Sequence, residues 1–338
     1  PSKTVFEYRN KIEYTFSDRK WLSKADLERA DDIETRGLGF HLPSMFDKIL
    51  DIDYCHLHSE LGNRIRNTIR DYAIKENLSF WHARKKEGLL RNLLLRRSTI
   101  GDYMLIMVFS QWNTQSNRMM EYIQQSFPEI SSLLYVINDK QNDSIGDLKV
   151  KLFAGKDHMM EKMRDLQFKV SPLAFYQTNA EQALQLYSQA AILANIQPDE
   201  CVYDLYTGTG TIALFVAKNA RKVVGIEYMV SAVEDAKVNA SLNQIENVEF
   251  VAGNMAKIFT DSFICEHGNP DVIITDPPRA GMHPQVVAQI LKIEPRRLVY
   301  VSCNSATQAR DIALLAEKYE VAAIQPVDMF PHTHHVEN

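Results

Sequence analysis

Five short apolar runs recur through the second half of the chain, at residues 202–206, 223–227, 248–252, 272–275 and 298–303, each about 20–25 residues from the next. Helical spacing fills most of the gaps, most clearly at residues 179–195 and 232–242. Runs so continuously apolar suit strands covered on both faces, and the strand–helix–strand rhythm predicts a doubly wound parallel sheet. Such sheets place their ligands beyond the carboxyl ends of the strands. The residues that follow each run are therefore where a site is to be sought.

The first half has a different texture. Lys11–Ser17 alternates like a half-exposed strand, residues 57–77 read as a helix, and residues 89–97 and 103–110 read as a hairpin turning near Gly101-Asp102. Residues 133–139 and 148–153 read as further strands, with a polar surface loop at 141–147. The expectation is an α+β domain on a largely antiparallel sheet over residues 1–168, followed by an α/β, Rossmann-like domain over residues 169–338. No internal repeat or low-complexity segment interrupts either.

Composition narrows the class. Of 338 residues, 45% are apolar and 24% charged, the mixture of a globular protein in water. No apolar run approaches the roughly 20 residues that span a bilayer. Pro1-Ser2-Lys3-Thr4 lacks a secretion pattern, so the chain reads as cytoplasmic, and the missing initiator Met reads as a piece of a longer protein. The net charge of −5 argues weakly against nucleic acid, but residues 1–100 hold 19 Lys and Arg against 15 Asp and Glu. The remainder holds 19 against 28. A basic first part and an acidic second part fit RNA docking on one and a small cofactor in the other, although a protein-binding surface has the same signature. Arg9, Lys11, Arg64, Arg66, Arg96, Arg97 and Trp81 are candidates for RNA contact, each equally explained as a solvated face. Cys55, Cys201, Cys265 and Cys303 are widely spaced without a Cys-x-x-Cys pair, which fits neither a disulfide framework nor zinc.

The glycine-rich stretch Asp204-Leu-Tyr-Thr-Gly-Thr-Gly-Thr-Ile-Ala213 follows a strand and opens a helix. Gly208, Gly210 and Ala213 satisfy the dinucleotide pattern, and Glu227 ends the next strand, where an acidic side chain meets a ribose diol. NAD and S-adenosylmethionine both accept that arrangement, and a plain tight turn explains the glycines alone. Three features favour S-adenosylmethionine. Asp204 stands four residues before the first glycine, Asn254 follows the third strand where it can read adenine, and Asp276-Pro-Pro-Arg279 ends the fourth.

Leu298-Val-Tyr-Val-Ser-Cys303-Asn304 then brings a thiol to the same sheet edge. Most strand-end cysteines are structural, but a thiolate here has a use. Uracil C5 is too weak a nucleophile to accept a methyl group until a nucleophile adds to C6, and a base must afterwards remove the C5 proton. That chemistry asks for a Cys303 pKa lowered by its surroundings. Glu337, in Met329-Phe-Pro-His-Thr-His-His-Val-Glu337, is the candidate base. His332, His334 and His335 crowd too closely to share one metal ion without a special loop.

Together, Phe175-Tyr-Gln-Thr-Asn179, Asp204-Leu-Tyr-Thr-Gly-Thr-Gly210, Asp276-Pro-Pro-Arg-Ala-Gly281, Val301-Ser-Cys-Asn304 and Asp328-Met-Phe-Pro-His-Thr-His-His-Val-Glu337 resemble the RNA uracil-5-methyltransferase family, and within it the bacterial 23S rRNA branch. The motifs occur in the family's order and the resemblance covers essentially the whole chain. It implies a class I S-adenosylmethionine-dependent methyltransferase domain preceded by a central RNA-binding domain. It also implies S-adenosylmethionine contacts from Gln177, Tyr206, Gly208, Gly210, Thr211, Glu227, Asn254 and Asp276, with Cys303 as nucleophile and Glu337 as base. Thr211 stands where some members carry Asn, and Thr207 where Cys is usual. The expected partner is RNA, 23S rRNA before tRNA, and the expected state a monomer without membrane association.

Members also carry an RNA-binding barrel and a cysteine-rich segment for a [4Fe-4S] cluster ahead of the region seen here. Cys55, in Asp53-Tyr-Cys55-His-Leu, resembles the fourth cluster ligand, with no metal site expected from this chain alone. The family continues past its base glutamate into a last apolar strand, whereas this chain stops at Asn338, so a weakened final strand and a loosely held Glu337 are expected. An NAD-dependent oxidoreductase or a non-catalytic RNA-binding protein are the competing readings. Amine methylation, which wants an aromatic residue after Pro-Pro, is disfavoured by Arg279.

Overall fold

The computed structural model describes residues 1–28 and 33–338. By its internal contacts the chain forms two units, one of residues 6–159 with 171–173, the other of residues 1–5, 160–170 and 174–338.

The N-terminal unit is built on a seven-stranded sheet in the order β3-β2-β1-β4-β5-β6-β7. Its strands are β1 (Lys11–Ser17), β2 (Gly37–Leu42), β3 (Met45–Leu50), β4 (Leu90–Arg97), β5 (Tyr103–Phe109), β6 (Ile130–Ile137) and β7 (Lys151–Gly155). Neighbours pair antiparallel except β5 and β6, which run parallel. That pair requires a crossover, supplied by α3 (Thr114–Ser126). Two further helices are α1 (Lys24–Glu28) and α2 (Glu60–Lys75). Helix α2 starts where Ser59 accepts a hydrogen bond from the Gly62 N–H, three residues inside the helix that the apolar spacing suggests. Alternate strand residues Leu93, Leu95, Leu105, Met107 and Phe109 pack against Ile65, Ile69 and Ala73 of α2 and Met119, Met120 and Ile123 of α3.

Three arginines are among the largest fully buried side chains. Arg66 donates to the carbonyls of Leu38, at 2.7 Å, and Ile52, and pairs with Asp51. Arg96 donates to the Ser171 and Pro172 carbonyls at 3.2 and 3.1 Å. Arg91 packs its guanidinium 4.0 Å over the Trp81 ring and holds the loop between β6 and β7 by the carbonyls of Asn138, Lys140 and Asn142 and the Asp143 carboxylate. Arg66, Arg96 and Trp81 are therefore withdrawn as RNA contacts. Their polar groups are spent inside the fold, and Trp81 is 7% exposed. Arg9, Lys11, Arg64 and Arg97 remain at least partly accessible.

In the C-terminal unit, the hairpin β8 (Met159–Met163) and β9 (Leu166–Val170) precedes five parallel strands. These are β10 (Cys201–Leu205), β11 (Lys222–Glu227), β12 (Val248–Ala252), β13 (Val272–Thr275) and β14 (Arg297–Tyr300), ordered β12-β11-β10-β13-β14. Helices α4 (Ala180–Ala194), α5 (Thr211–Ala217), α6 (Val230–Leu242), α7 (Met255–Ile258), α8 (Asp261–His267), α9 (Pro284–Ile293) and α10 (Ser305–Leu315) connect them. Residues Tyr203, Leu205, Val224, Ile226 and Ile273 pack one face of the sheet against Phe259, Phe263, Val286 and Ile290. This is the α/β class predicted. The chain reverses direction across β10, which has β11 on one side and β13 on the other, so the binding crevice belongs at the carboxyl end of β10. Among the described residues, no helix is long and apolar enough to cross a membrane.

Replacing Arg91 by Ala would strand the buried Asn138 carbonyl, unpair the half-buried Lys140 and Asn142 carbonyl contacts and the Asp143 carboxylate, and leave a void beneath Trp81. The expected cost is about 3 kcal/mol or more, read as a lower denaturation midpoint for the N-terminal unit. A change within about 0.5 kcal/mol, the ordinary effect of a surface substitution, would mean that Arg91 carries none of this architecture.

Candidate active site

Asp204 organises the loop after β10. Its Oδ2 accepts the Thr207 hydroxyl at 2.5 Å and the Ala213 N–H at 2.9 Å, so one carboxylate clamps both ends of the glycine turn. Within that turn the two glycines have different reasons. A Cβ on Gly210 (φ 81°) would meet the Phe250 ring at 2.8 Å, so this glycine serves packing. A Cβ on Gly208 (φ 57°) would meet nothing within 4 Å, which leaves the backbone open to a close-lying ligand. Glu227, at the end of β11, accepts the Gly208 and Met229 N–H groups at 3.1 and 2.9 Å, which fixes its carboxylate at the rim of the turn. Tyr206 takes a left-handed φ of 66°, unusual for a residue with a side chain, and its hydroxyl is directed to the His283 backbone. Asn254 caps α7 through the Ala256 N–H at 3.0 Å, so its amide hydrogens are the part left for reading a base.

Deeper in the crevice, Tyr187 of α4 hydrogen-bonds both Thr211 and Gln177. It is 3% exposed, and burial together with nearby Asp276 pushes its hydroxyl pKa well up. Tyr187 thus joins two of the expected cofactor contacts, although the motif pattern does not contain it. Asp276, just beyond β13, is pushed up to about 8 by burial and then by the charges of Glu337 and Asp204. Burial also lifts Asp204 to about 7 and Glu337 to about 7, the latter opposed by Arg279.

Cys303 lies past the end of β14, just ahead of Asn304, the N-cap of α10. The Asn304 amide and the Thr307 hydroxyl both donate to the Arg279 carbonyl, at 3.0 and 3.1 Å, which ties the Ser-Cys-Asn turn to the Pro-Pro-Arg loop. The Arg279 guanidinium lies 3.2 Å from His335 Nδ1 and near enough to Cys303 to favour its thiolate by charge. The expectation of a depressed thiol pKa is corrected here. Burial first, and the Glu337 and Asp276 carboxylates after it, push the Cys303 thiol up, with Arg279 pulling the other way.

Glu337 is held more firmly than expected. Its N–H and carbonyl pair with Val327 at 3.1 and 2.7 Å, and the next residue, Asn338, exchanges both backbone hydrogen bonds with Ser302 at 2.9 and 3.0 Å. Those four bonds seat a 5% exposed carboxyl beside the end of β14.

S-adenosylmethionine fits this donor set. The buried carboxyls of Asp204 and Glu337 and the half-buried one of Asp276, which both of them raise, favour a cationic ligand, and the open space at Gly208 admits one. A [4Fe-4S] cluster is not composed by the residues present. Among the described residues no group of three or more His, Cys, Asp or Glu is placed to hold a metal ion, and Cys55 is buried with its backbone bonded to Asn63.

A family model described as tRNA (uracil-5-)-methyltransferase matches residues 146–338. The chain belongs to this family. A relative from Bacteroides thetaiotaomicron, named an uncharacterized RNA methyltransferase, is 54% identical over 100% of this chain and 75% of its own length. One of the same name from Porphyromonas gingivalis is 51% identical over 98% and 73%. Among solved structures, the Pyrococcus abyssi tRNA (uracil-54, C5)-methyltransferase in complex with S-adenosyl-L-homocysteine superposes with a TM-score of 0.79 at 28% identity, covering 100% of this chain and 76% of that one. This family member is an S-adenosylmethionine-dependent RNA methyltransferase with the class I methyltransferase fold.

The three raised carboxyls set a pH dependence. In the unfolded chain they ionise near their ordinary values of 3.8 and 4.5, whereas in the fold they hold protons to about 7 or 8. The folded state binds more protons across that window, so stability is greatest at its acid end and falls as pH rises through the folded values. Melting temperatures of the ligand-free protein should drop between pH 5 and 8, and Asp276→Asn should flatten that slope. An unaltered slope in the variant would place the titration elsewhere.

Proposed function

We propose that this enzyme methylates C5 of a uridine in RNA through a covalent bond between Cys303 Sγ and C6, with 23S rRNA as the target. The observation that carries the proposal is that Asn304 and Thr307 tie the Cys303 turn to the Arg279 carbonyl while the Ser302–Asn338 backbone pair brings Glu337 to the same turn, at the sheet edge that also bears Asp276. Gln177, Tyr206, Gly208, Gly210, Thr211, Glu227, Asn254 and Asp276 hold S-adenosylmethionine in this reading. When bound, S-adenosylmethionine supplies a methyl group on a sulfonium centre, a carbon electrophile that uracil alone does not attack.

The chain's own residues do the rest. Arg279 favours the thiolate by its charge, and the N-terminus of α10, immediately after Cys303, adds a field of the same sign. The Sγ–C6 bond forms, and the C5–C6 π pair moves toward C5 and O4, which makes C5 the nucleophile. Once C5 carries the methyl group, the Glu337 carboxylate takes the C5 proton. The released pair restores the C5–C6 double bond and expels the Cys303 thiolate. A carboxyl with a pKa of about 7 is matched to that task, being half ionised at neutral pH yet basic enough to take a carbon-bound proton. A uridine in folded RNA has to leave its stack to reach Cys303.

The rRNA target rests on the motif resemblance to the 23S branch. A tRNA target is the second reading, favoured by the likeness to the Pyrococcus tRNA enzyme. The same reading places the protein in the cytoplasm, acting as a monomer.

The test uses rRNA-fragment and tRNA transcripts containing 5-fluorouridine, incubated with S-adenosylmethionine and resolved on a denaturing gel. Fluorine cannot leave C5 as a proton, so the parent chain should give a shifted band with rRNA, absent in Cys303→Ala. A band with tRNA alone would favour the second reading, and a band that survives in Cys303→Ala would sink the covalent assignment. With ordinary uridine, Glu337→Gln should accumulate the methylated adduct while turnover falls about 100-fold or more. Unimpaired turnover in that variant would assign the base elsewhere.

A further inference from the structure

The N-terminal unit carries a cavity of about 520 Å³ between the β2–β3 hairpin and the loop that leads into β4. Its lining includes His41, Met45, Phe46, Trp81, Lys86 and Asp143. None of these residues belongs to the chemistry described above. Phe46 is 66% exposed and Met45 beside it 46%, so the hairpin turns an adjoining pair of large apolar side chains to solvent at this cavity. Across the cavity mouth, His82-Ala-Arg-Lys-Lys-Glu87 places three consecutive cations on one tight turn. The turn is closed by the His82 N–H to the Glu87 carbonyl at 2.7 Å and the Lys86 N–H to the His82 carbonyl at 2.9 Å.

Hairpin and turn are one built element. The Arg84 guanidinium lies 5.7 Å over the Phe46 ring, and its Nε donates to Asp47 Oδ2 at 2.6 Å, the same oxygen that Arg19 Nη1 reaches at 3.0 Å. Trp81 is braced by Arg91, and Asp143, the acidic residue of the lining, is ion-paired with that same arginine. The charges left facing outward are therefore mainly those of Lys85 and Lys86, the former 3.6 Å from Glu87.

We infer that this cavity is a docking site for a single-stranded segment of the RNA substrate, with an unstacked base against Phe46 and the adjoining phosphates on Lys85 and Lys86. An exposed aromatic face beside a concave space takes a splayed base, whereas a duplex offers its backbone to a convex or flat basic surface. The cations sit at the rim and the aromatic groups within, the arrangement that a nucleotide's charged and apolar ends require. The inference deepens the RNA reading of the enzyme and rests on it for the identity of the substrate.

The experiment titrates the full chain with a fluorescein-labelled single-stranded oligouridylate and with an RNA duplex of equal length, by anisotropy across a salt series. Phe46→Ala should weaken single-strand binding about 10-fold. Lys85→Gln/Lys86→Gln should reduce the slope of log affinity against log salt by about 0.7 for each lysine that meets a phosphate. S-adenosylhomocysteine affinity and melting temperature, measured on both variants, should match the parent. Two exposed lysines can be changed without disturbing the core, so the second variant remains informative if Phe46→Ala misfolds. Parent-like affinity and salt slope in the lysine variant would overturn the inference, as would absence of RNA binding by the parent, or equal losses for single strand and duplex. A cavity that takes a protein segment instead would give the parent-like result. Adduct formation on 5-fluorouridine RNA, run on the same preparations, separates the two readings. An adduct with the parent but unchanged variant binding fails the cavity alone. Variant-sensitive binding without an adduct fails the uracil chemistry alone.

Discussion

A carboxylate taken out of water loses far more solvation than the neutral acid does, and the C-terminal unit places three of them within electrostatic reach of one another. Asp204 recovers part of that loss through Thr207 and the Ala213 N–H, which is also how the glycine turn acquires its shape. Asp276 and Glu337 recover less, since the Glu337 charge raises Asp276 further and Arg279 is the cation that answers Glu337. The ligand-free crevice is consequently poised for positive charge, and the features around it follow from that. Tyr187 links Gln177 to Thr211 without adding charge. Arg279 is tethered by its carbonyl to the turn that carries Cys303.

Much of this was legible because the parallel sheet writes its function at fixed places. Apolar runs of strand length gave all five strands to within a few residues, and the residues after them are Tyr206, Glu227, Asn254, Asp276 and Cys303. The side chains that complete the site were not legible in the same way. Tyr187 lies on the stripe Ala183, Leu186, Tyr187, Ala190 and Ala194, which reads as ordinary core. The signal available was only that a buried tyrosine hydroxyl must find partners. Arg279 reads in sequence as a departure from another motif, and its role emerges only when Cys303 is brought beside it.

The N-terminal unit shows why charge is a weaker guide than apolar spacing. Arg66, Arg91 and Arg96 look like solvated cations in sequence, yet all three lie in the interior, because a guanidinium can satisfy several backbone carbonyls that loops leave unpaired. Their burial depends on loops that the strand pattern does not contain, β2 and β3 among the elements that escaped notice. Residues 138–143, by contrast, are fixed around Arg91, so the stretch read as a surface loop from 141 begins three residues earlier, at 138, and is also part of the core's hydrogen bonding.

The raised thiol at Cys303 sharpens the account of catalysis. A thiol poised as thiolate in the empty crevice would be open to oxidation and to indiscriminate electrophiles. Burial is the first cause of the raised thiol, and the Glu337 and Asp276 carboxylates that add to it are the groups that a cationic ligand would answer. Neutralising them removes the carboxylates' share of that shift, which Arg279 and the start of α10 already oppose. In the proposed mechanism, the same charges that make the ligand-free crevice costly thus add to the burial that holds the Cys303 thiol protonated. Glu337 gains in the opposite sense, because a nearby positive charge draws it from about 7 toward the ionised form that proton abstraction requires. On the mechanism proposed above, one bound cation acts on Cys303 and Glu337 together.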